Sequence, residues 1–474
     1  MSRWEKRVAA VVFVLLVAVL VGQIWCRPVD RDEGFWLYVP WRITEGEMPY
    51  RDFAFPHLPL GALYYAGMAV IWGPSLYLSR NFNVVLILLS TAIITWAFLR
   101  RGMKGAAVAF PFLYIGSSLV LTWLVPVKAY APACFALSVG VAAAVSPRPE
   151  SRTGLLRAFV LGLALGVAAA ARLQLLALLP FGALVLWLDG RRETYGRLKA
   201  VLLYVLGYLV IAPFIVYYRV TAGDAFVFNV LTVHTLFVSQ NGFFGGRLDA
   251  LVDLIKAADV VLLAAFALAS LRTEKARAAV GPFVFAAVLV LVNFLPGSVQ
   301  AQYFSAAIPA AAAAGAVGLA ALYRNKRTVA LLLIAVYVAF GTARPAAKII
   351  FGRAHKELVG PAEVYAAADI LRENTYPDDV VYTGWPGYAA LAERRVMPGW
   401  ELGYFTDRIA ERCDEATRRR YHLVTYEETA ERLAAGEVEF ALLGIDTAGE
   451  VGETVTEHFE AIGEYDGATL YTSK

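Results

Sequence analysis

The sequence predicts a polytopic α-helical membrane protein of about eleven spans, followed by a soluble α/β domain. Three observations point there. Of 474 residues, 59% are hydrophobic and only 17% charged, with a mean hydropathy of +0.57, against roughly 25% charge in soluble domains. Several apolar runs approach the ~20 residues that cross a bilayer. From Arg344 onward Asp and Glu become frequent and no run is long enough to span.

Basic residues in short loops set the expected orientation. Arg3, Lys6 and Arg7 place the N-terminus in the cytoplasm. The first apolar run, Val8 to Trp25, lacks a small-residue cleavage site and precedes further spans, so it reads as a retained helix. It delivers residues 27–80 to the outer face as the first outer loop. Within that loop His57 to Trp72 is apolar enough to tempt a span. If it crosses, Arg100, Arg101 and Lys104 fall outside; if it lies along the interface as an amphipathic helix, they and every later basic cluster stay inside. The second reading is preferred.

The following spans are then Asn83–Leu99, Ala106–Trp123, Tyr130–Val145, Leu155–Ala171, Leu173–Leu188, Ala200–Val220, Ala257–Leu271, Val280–Leu295, Phe304–Leu322 and Thr328–Gly341. Inner loops carry Arg148, Arg152 and Arg157; Arg191, Arg192, Arg197 and Lys199; Arg272, Lys275 and Arg277; and Arg324, Lys326 and Arg327. A longer outer loop, Thr221 to Lys256, contains FVFNVLTVHTLF, an aromatic stretch expected to lie on the membrane. The chain divides into a membrane module, 1–343, and an extracytoplasmic α/β domain, 344–474. In the latter, VVYTG (380–384), FALLG (440–444) and ATLYTS (468–473) read as strands. Ala362–Glu373 and Glu427–Leu433 read as helices. The net charge of +4 is small and sits in orientation clusters, so nucleic-acid binding is not inferred. Cys26, Cys134 and Cys413 lie too far apart in sequence to suggest a disulfide framework or a metal site.

The stretch richest in chemistry is PVDRDEGFWLYVPWRITEGEMPYRDFAFPHLPLG, continuing to Arg80. It interleaves carboxylates, arginines and aromatics beside the first span, as expected where a polar head group meets a lipid tail. Asp32 and Glu33 are the leading pair. A carboxylate at a membrane face serves as a general base or stabilises an oxocarbenium-like transition state; as plain structure, Asp32 would be a helix N-cap. Asp52, before FAFPHLPLG, reads either as a site residue or as turn chemistry beside Pro56.

The order of these motifs resembles the GT-C glycosyltransferases that use polyprenyl-phosphate sugars, in particular the protein O-mannosyltransferase and aminoarabinose-transferase group. The resemblance rests on Asp32-Glu33, GEMPYRD (46–52), PHLPLG (56–61) and LSR (78–80), and its motifs cover about the first hundred residues. His-Leu-Pro stands where the family usually has two adjacent prolines. The resemblance implies transfer of a sugar from a polyprenyl-phosphate donor to an acceptor at the outer face, with inversion, in the plasma or inner membrane. It raises Asp32 as base, with Glu33 and Asp52 as further site residues. The donor's phosphate requires cations or hydrogen-bond donors, for which Arg80, Lys128, Arg172 and Tyr303 are the candidates. His57 and His234 are candidate substrate contacts. The bland alternatives are snorkelling for Arg172 and Lys128, an interfacial belt for Tyr303 and packing for His234. No organic cofactor is expected, and a divalent cation at Asp32/Asp52 stays open. The partners expected are the lipid-linked donor, membrane lipids and an acceptor that is a protein, glycolipid or cell-wall glycan. Two rivals remain: a lipid-linked-sugar flippase, which predicts polar mid-membrane residues and paired broken helices, and a non-catalytic scaffold.

Overall fold

A computed structural model describes residues 2–145, 152–187, 194–237, 242–296, 299–351, 359–447, 449–465 and 467–474. Of the expected orientation signals, Arg148, Arg191 and Arg192 lie outside the described residues, as do Gly297 and Ser298 of the loop at 296–304 that the sequence reading put outside.

Among the described residues, six helices are long and apolar enough to cross a membrane: Arg3–Cys26, Leu76–Arg100, Gly154–Ala171, Gly196–Ala222, Ala301–Asn325 and Arg327–Ala347. Shorter apolar helices fill the spaces between them, including Lys104–Ile115, Tyr130–Val145, Ala258–Ser270 and Ala276–Val292. The alanine-rich helix Ile308–Asn325 is the most central, buried along most of its length. Small side chains let neighbouring backbones approach closely. A Cβ on Gly318 would lie 2.0 Å from the Phe266 carbonyl oxygen.

Hydrogen bonds fix the two ends of the helical body. At one end Glu5 accepts from Tyr323 at 3.0 Å and from Arg327 at 2.7 Å. At the other, Arg80 donates to the carbonyls of Ile24 and Arg27, 3.3 and 3.0 Å away. The helix Leu76–Arg100 therefore runs from the Arg80 end, and its 25 residues reach ~37 Å.

Several spans are interrupted where the sequence suggested continuous helices. The run Ala106–Trp123 is broken into Lys104–Ile115 and Ser118–Trp123. There the Gly116 carbonyl oxygen lies against Gly341, where a Cβ would be 1.9 Å away. The freed Ser118 backbone N–H and hydroxyl donate to Asp259, at 2.8 and 3.0 Å, satisfying groups that a helix break orphans. The helix Thr194–Leu209 gives way at residues 210–211 to Ala212–Ala222, with Pro213 in its first turn. The segment after it is itself helical, with a π turn at Phe228–Thr232 and a further helix, Gly242–Lys256. The last long helix, Arg327–Phe351, runs past the composition change at Arg344.

The C-terminal segment forms a five-stranded sheet in the order β2-β1-β3-β5-β4. The strands are β1 Val380–Thr383, β2 Arg395–Val396, β3 Phe440–Leu443, β4 Phe459–Tyr465 and β5 Ala468–Ser473. β1 pairs in parallel with β2 and β3, while β5 is antiparallel to β3 and β4. The expected helices appear as Pro361–Asn374 and Tyr426–Ala434, the latter with a Thr425/Glu428 capping box. This segment shares its buried apolar cluster with the loop after the first helix: Trp385, Tyr388 and Trp400 pack in the same cluster as Phe35, Trp36 and Tyr38.

Candidate active site

The loop after the first helix is held by one buried ion pair. Glu33 and Arg80 have no solvent exposure. Arg80 bonds both carboxylate oxygens, at 2.9 and 2.5 Å. The same oxygens accept the backbone N–H groups of Asp30 at 2.9 Å and Val127 at 2.8 Å. One carboxylate thus joins three segments: the Asp30–Asp32 loop, the helix Leu76–Arg100 and the strap ahead of helix Tyr130–Val145. Asn83 grips that strap through the carbonyls of Val125 and Pro126, at 3.1 and 2.9 Å. The Tyr65 hydroxyl accepts the Lys128 backbone N–H at 3.1 Å.

These restraints deliver the Lys128 ammonium to two carboxylates. It lies 2.7 Å from Asp30 Oδ1 and 2.8 Å from Asp32 Oδ2, and 3.1 Å from Gln302 Oε1. Three acceptors use its three donors. Asp32 occupies the N-cap position of helix Glu33–Thr44 but makes no capping bond. Its other oxygen accepts instead from the Tyr404 hydroxyl at 2.8 Å. Burial works against the Asp32 charge, but Lys128 and the Tyr404 hydroxyl outweigh it and hold the carboxyl below its ordinary range. Burial likewise opposes the Lys128 charge, and Asp32 and Asp30 raise its pKa in spite of it.

Asp30, Asp32 and Lys128 open onto a cavity of about 420 Å³. Arg172, at the break between helix Arg152–Ala171 and the 3₁₀ turn Leu173–Ala177, lies 3.8 Å from the Tyr130 ring centroid and 5.8 Å from that of Tyr303. Arg408 enters from the C-terminal domain, against the rings of Phe237 and Phe405 at 5.3 and 5.9 Å. Neither arginine forms an ion pair among the described residues. His57 stacks on Trp36 at 5.2 Å, and its ring centroid is 6.2 Å from that of His234. Burial, then the charges of His234, Arg172 and Lys128, hold the His57 imidazole well below its ordinary pKa. The Phe55 N–H donates to Asn229 at 2.9 Å, tying the loop that carries His57 to the π turn ahead of His234.

Of the residues the sequence singled out, Asp32, His57, Lys128, Arg172, His234 and Tyr303 share this cavity. Three do not line it. Glu33 and Arg80 are bound to each other in the buried pair, away from the cavity wall. Asp52 lies on a separate turn, paired with Arg51 at 2.7 Å and accepting from the Met48 N–H at 2.8 Å. Lys128 lines the cavity but has no donor left for a phosphate. Asp32 and Asp52, the carboxylates suggested for a divalent ion, do not share the cavity lining. The sequence reading missed Asp30 as a partner of Lys128. It also missed Tyr404 and Arg408, which lie more than 370 residues from Asp32 and carry no motif.

No protein-family model matches this chain, and no curated protein matches it. Solved structures do. ArnT from Cupriavidus metallidurans bound to undecaprenyl phosphate superposes with a TM-score of 0.71 at 14% identity, over 98% of this chain and 97% of that one. The arabinofuranosyltransferase AftD from Mycobacteria gives 0.55 at 13% identity, over all of this chain and 42% of that one. AglB, an archaeal oligosaccharyltransferase from Archaeoglobus fulgidus in complex with an inhibitory peptide and a dolichol-phosphate, gives 0.50 at 12%, over all of this chain and 75% of that one. At these identities the likeness is one of fold: the chain has the GT-C architecture.

Proposed function

We propose that this protein is a membrane glycosyltransferase that moves a sugar from a polyprenyl-phosphate carrier to an acceptor at the extracytoplasmic face. One observation carries the reading. An ionised carboxylate, Asp32, faces the same cavity as Arg172 and Arg408, which have no carboxylate partner among the described residues. A polyprenyl-phosphate sugar is a phosphodiester with one negative charge; its leaving group is a phosphate monoester, which gains a second. Arg172 and Arg408 supply two fixed positive charges where that charge develops. Preorganised cations of this kind favour the transition state over the bound donor.

In the proposed step the acceptor oxygen or nitrogen attacks the anomeric carbon. The bond from that carbon to the phosphate oxygen breaks, and its electron pair leaves with the phosphate. The acceptor's proton passes to Asp32 and then to water, leaving polyprenyl phosphate and the inverted glycoside. Asp32 is a weak base, matched to a step in which bond formation acidifies the acceptor before the proton moves. Lys128 and Tyr404 fix the carboxylate's position, and Asp30 shares the ammonium. The neutral His57 and the rings of Trp36 and Phe35 offer a sugar-sized wall of mixed polarity.

The basic clusters support the orientation: Arg324 and Arg327 sit at the Glu5 end of the bundle, away from the Arg80 end where the cavity opens. This supports a cytoplasmic N-terminus and an α/β domain outside. The test is incubation of purified protein with radiolabelled polyprenyl-phosphate sugars. Release or transfer of one label supports the reading; no release from any of them, with polyprenyl phosphate failing to bind, refutes it.

A further inference from the structure

From the contacts across the first outer loop, we infer that the C-terminal domain is part of the transfer site itself: its short helix Tyr404–Ala410 supplies Tyr404 as the positioning residue of Asp32 and Arg408 as the second phosphate cation. This deepens the proposed glycosyl transfer and rests on it.

The helix is aimed by its own geometry. Gly403, immediately before it, has φ +57 and ψ −138, a conformation that side chains avoid. A Cβ there would lie 2.5 Å from the Gly384 carbonyl oxygen. The turn therefore presses the helix start against the β1–Trp385 corner. One helical turn separates Tyr404 from Arg408, so both project from one face. That face meets the cavity: Tyr404 donates to Asp32 at 2.8 Å, and Arg408 and Phe405 line the wall.

The domain also grips the loop that carries Asp32. Trp385 Nε1 donates to the Arg31 carbonyl at 3.1 Å. Gly34 leaves room for that indole; a Cβ there would lie 2.6 Å from Trp385 Nε1. Asp446 pairs with the Arg31 guanidinium, which also covers the Tyr404 ring at 4.5 Å. The Val29 N–H donates to the Val359 carbonyl at 2.9 Å, and the Val396 N–H to the Tyr38 hydroxyl at 2.9 Å. These contacts bracket residues 29–38 on both sides of Asp32. The membrane module alone would hold Asp32 by Lys128 and leave the cavity with one unpaired arginine.

Two variants separate the roles. Tyr404→Phe keeps the ring under Arg31 and removes the hydroxyl that donates to the Asp32 carboxylate. Its turnover should fall about tenfold, and the acid limb of its pH–rate profile should move to higher pH, with donor KM unchanged. Arg408→Met should weaken binding of undecaprenyl phosphate by tenfold or more, measured by titration in detergent, with the acid limb unmoved. A merely structural contact would lower the amount of working protein without moving either readout. Wild-type transfer is the control, and its failure tells against the proposed function. If the wild type transfers sugar while Tyr404→Phe keeps the wild-type acid limb, or Arg408→Met binds undecaprenyl phosphate as the wild type does, the outer domain has no part in the site.

Discussion

Replacing Arg80 by Met tests the account of how the loop is positioned. The substitution preserves volume and removes the charge opposite Glu33. In the native protein the Glu33 carboxylate, fully buried, has four donors: two from Arg80, and the backbone N–H groups of Asp30 and Val127. The variant leaves it with the two backbone donors and no counter-charge. Breaking a buried pair from one side costs about 3–5 kcal/mol, a large share of any domain's stability. Thermal unfolding in detergent should show a drop of several degrees. Turnover should fall further than stability explains, because the loop holding Asp30 and the strap holding Lys128 both hang on that carboxylate, and a displacement of ~1 Å at a reacting group costs up to about a hundredfold. Adding Glu33→Gln should recover part of the stability by removing the stranded charge, without restoring turnover. Arg80→Met with native melting and native turnover would refute the reasoning, because Glu33 would then be neither charged nor anchoring.

Lys128→Met should leave Asp30 and Asp32 facing each other unneutralised, raising the pKa of one carboxyl and moving the acid limb of activity upward; an unmoved limb would contradict the shared ion pair. Burial pushes the Glu401 carboxyl, beside Glu47, up to about 7 from an ordinary 4.5. Because the folded state holds this proton more tightly than the unfolded one, its effect on stability is most favourable below pH 4.5 and is lost as pH rises through about 7. Glu401→Gln, which keeps an acceptor for the Gly399 N–H, should flatten that decline by up to about 3 kcal/mol; an unchanged pH–stability curve would contradict it. With Arg31 paired to Asp446 and Lys128 shared by both aspartates, the groups around the cavity carry one more positive than negative charge, since Arg172 and Arg408 have no carboxylate partner among the described residues. The donor's phosphodiester closes that balance, so neutral-sugar donors should outpace a cationic amino-sugar donor, and the reverse preference would contradict it.

The membrane character and the helical body were legible because composition and run length depend only on local sequence. Three of the five strands were legible for the same reason, since VVYT, FALL and ATLYTS alternate in place. The two-residue β2 and the largely exposed β4 lack such a pattern. Breaks within the spans came from close backbone contacts, such as Gly116 against Gly341, that no single segment encodes. In the site, Asp32 and Lys128 stood out as charges beside apolar runs. The sequence did not say that Glu33, next in the chain, turns inward to Arg80. Helix periodicity sends neighbouring residues to different faces, and tertiary packing decides which face meets the cavity. Tyr404 and Arg408 were invisible because their partners lie at the other end of the chain.

The central claim is that Asp32 takes the acceptor's proton in a cavity where arginines hold the lipid phosphate. Single-turnover transfer from a radiolabelled polyprenyl-phosphate sugar, with wild type and Asp32→Asn at equal donor occupancy, tests it most directly. A fall of about 10²–10⁴-fold in the transfer rate, with donor binding and melting retained, is the predicted result. Transfer by Asp32→Asn at the wild-type rate would contradict it.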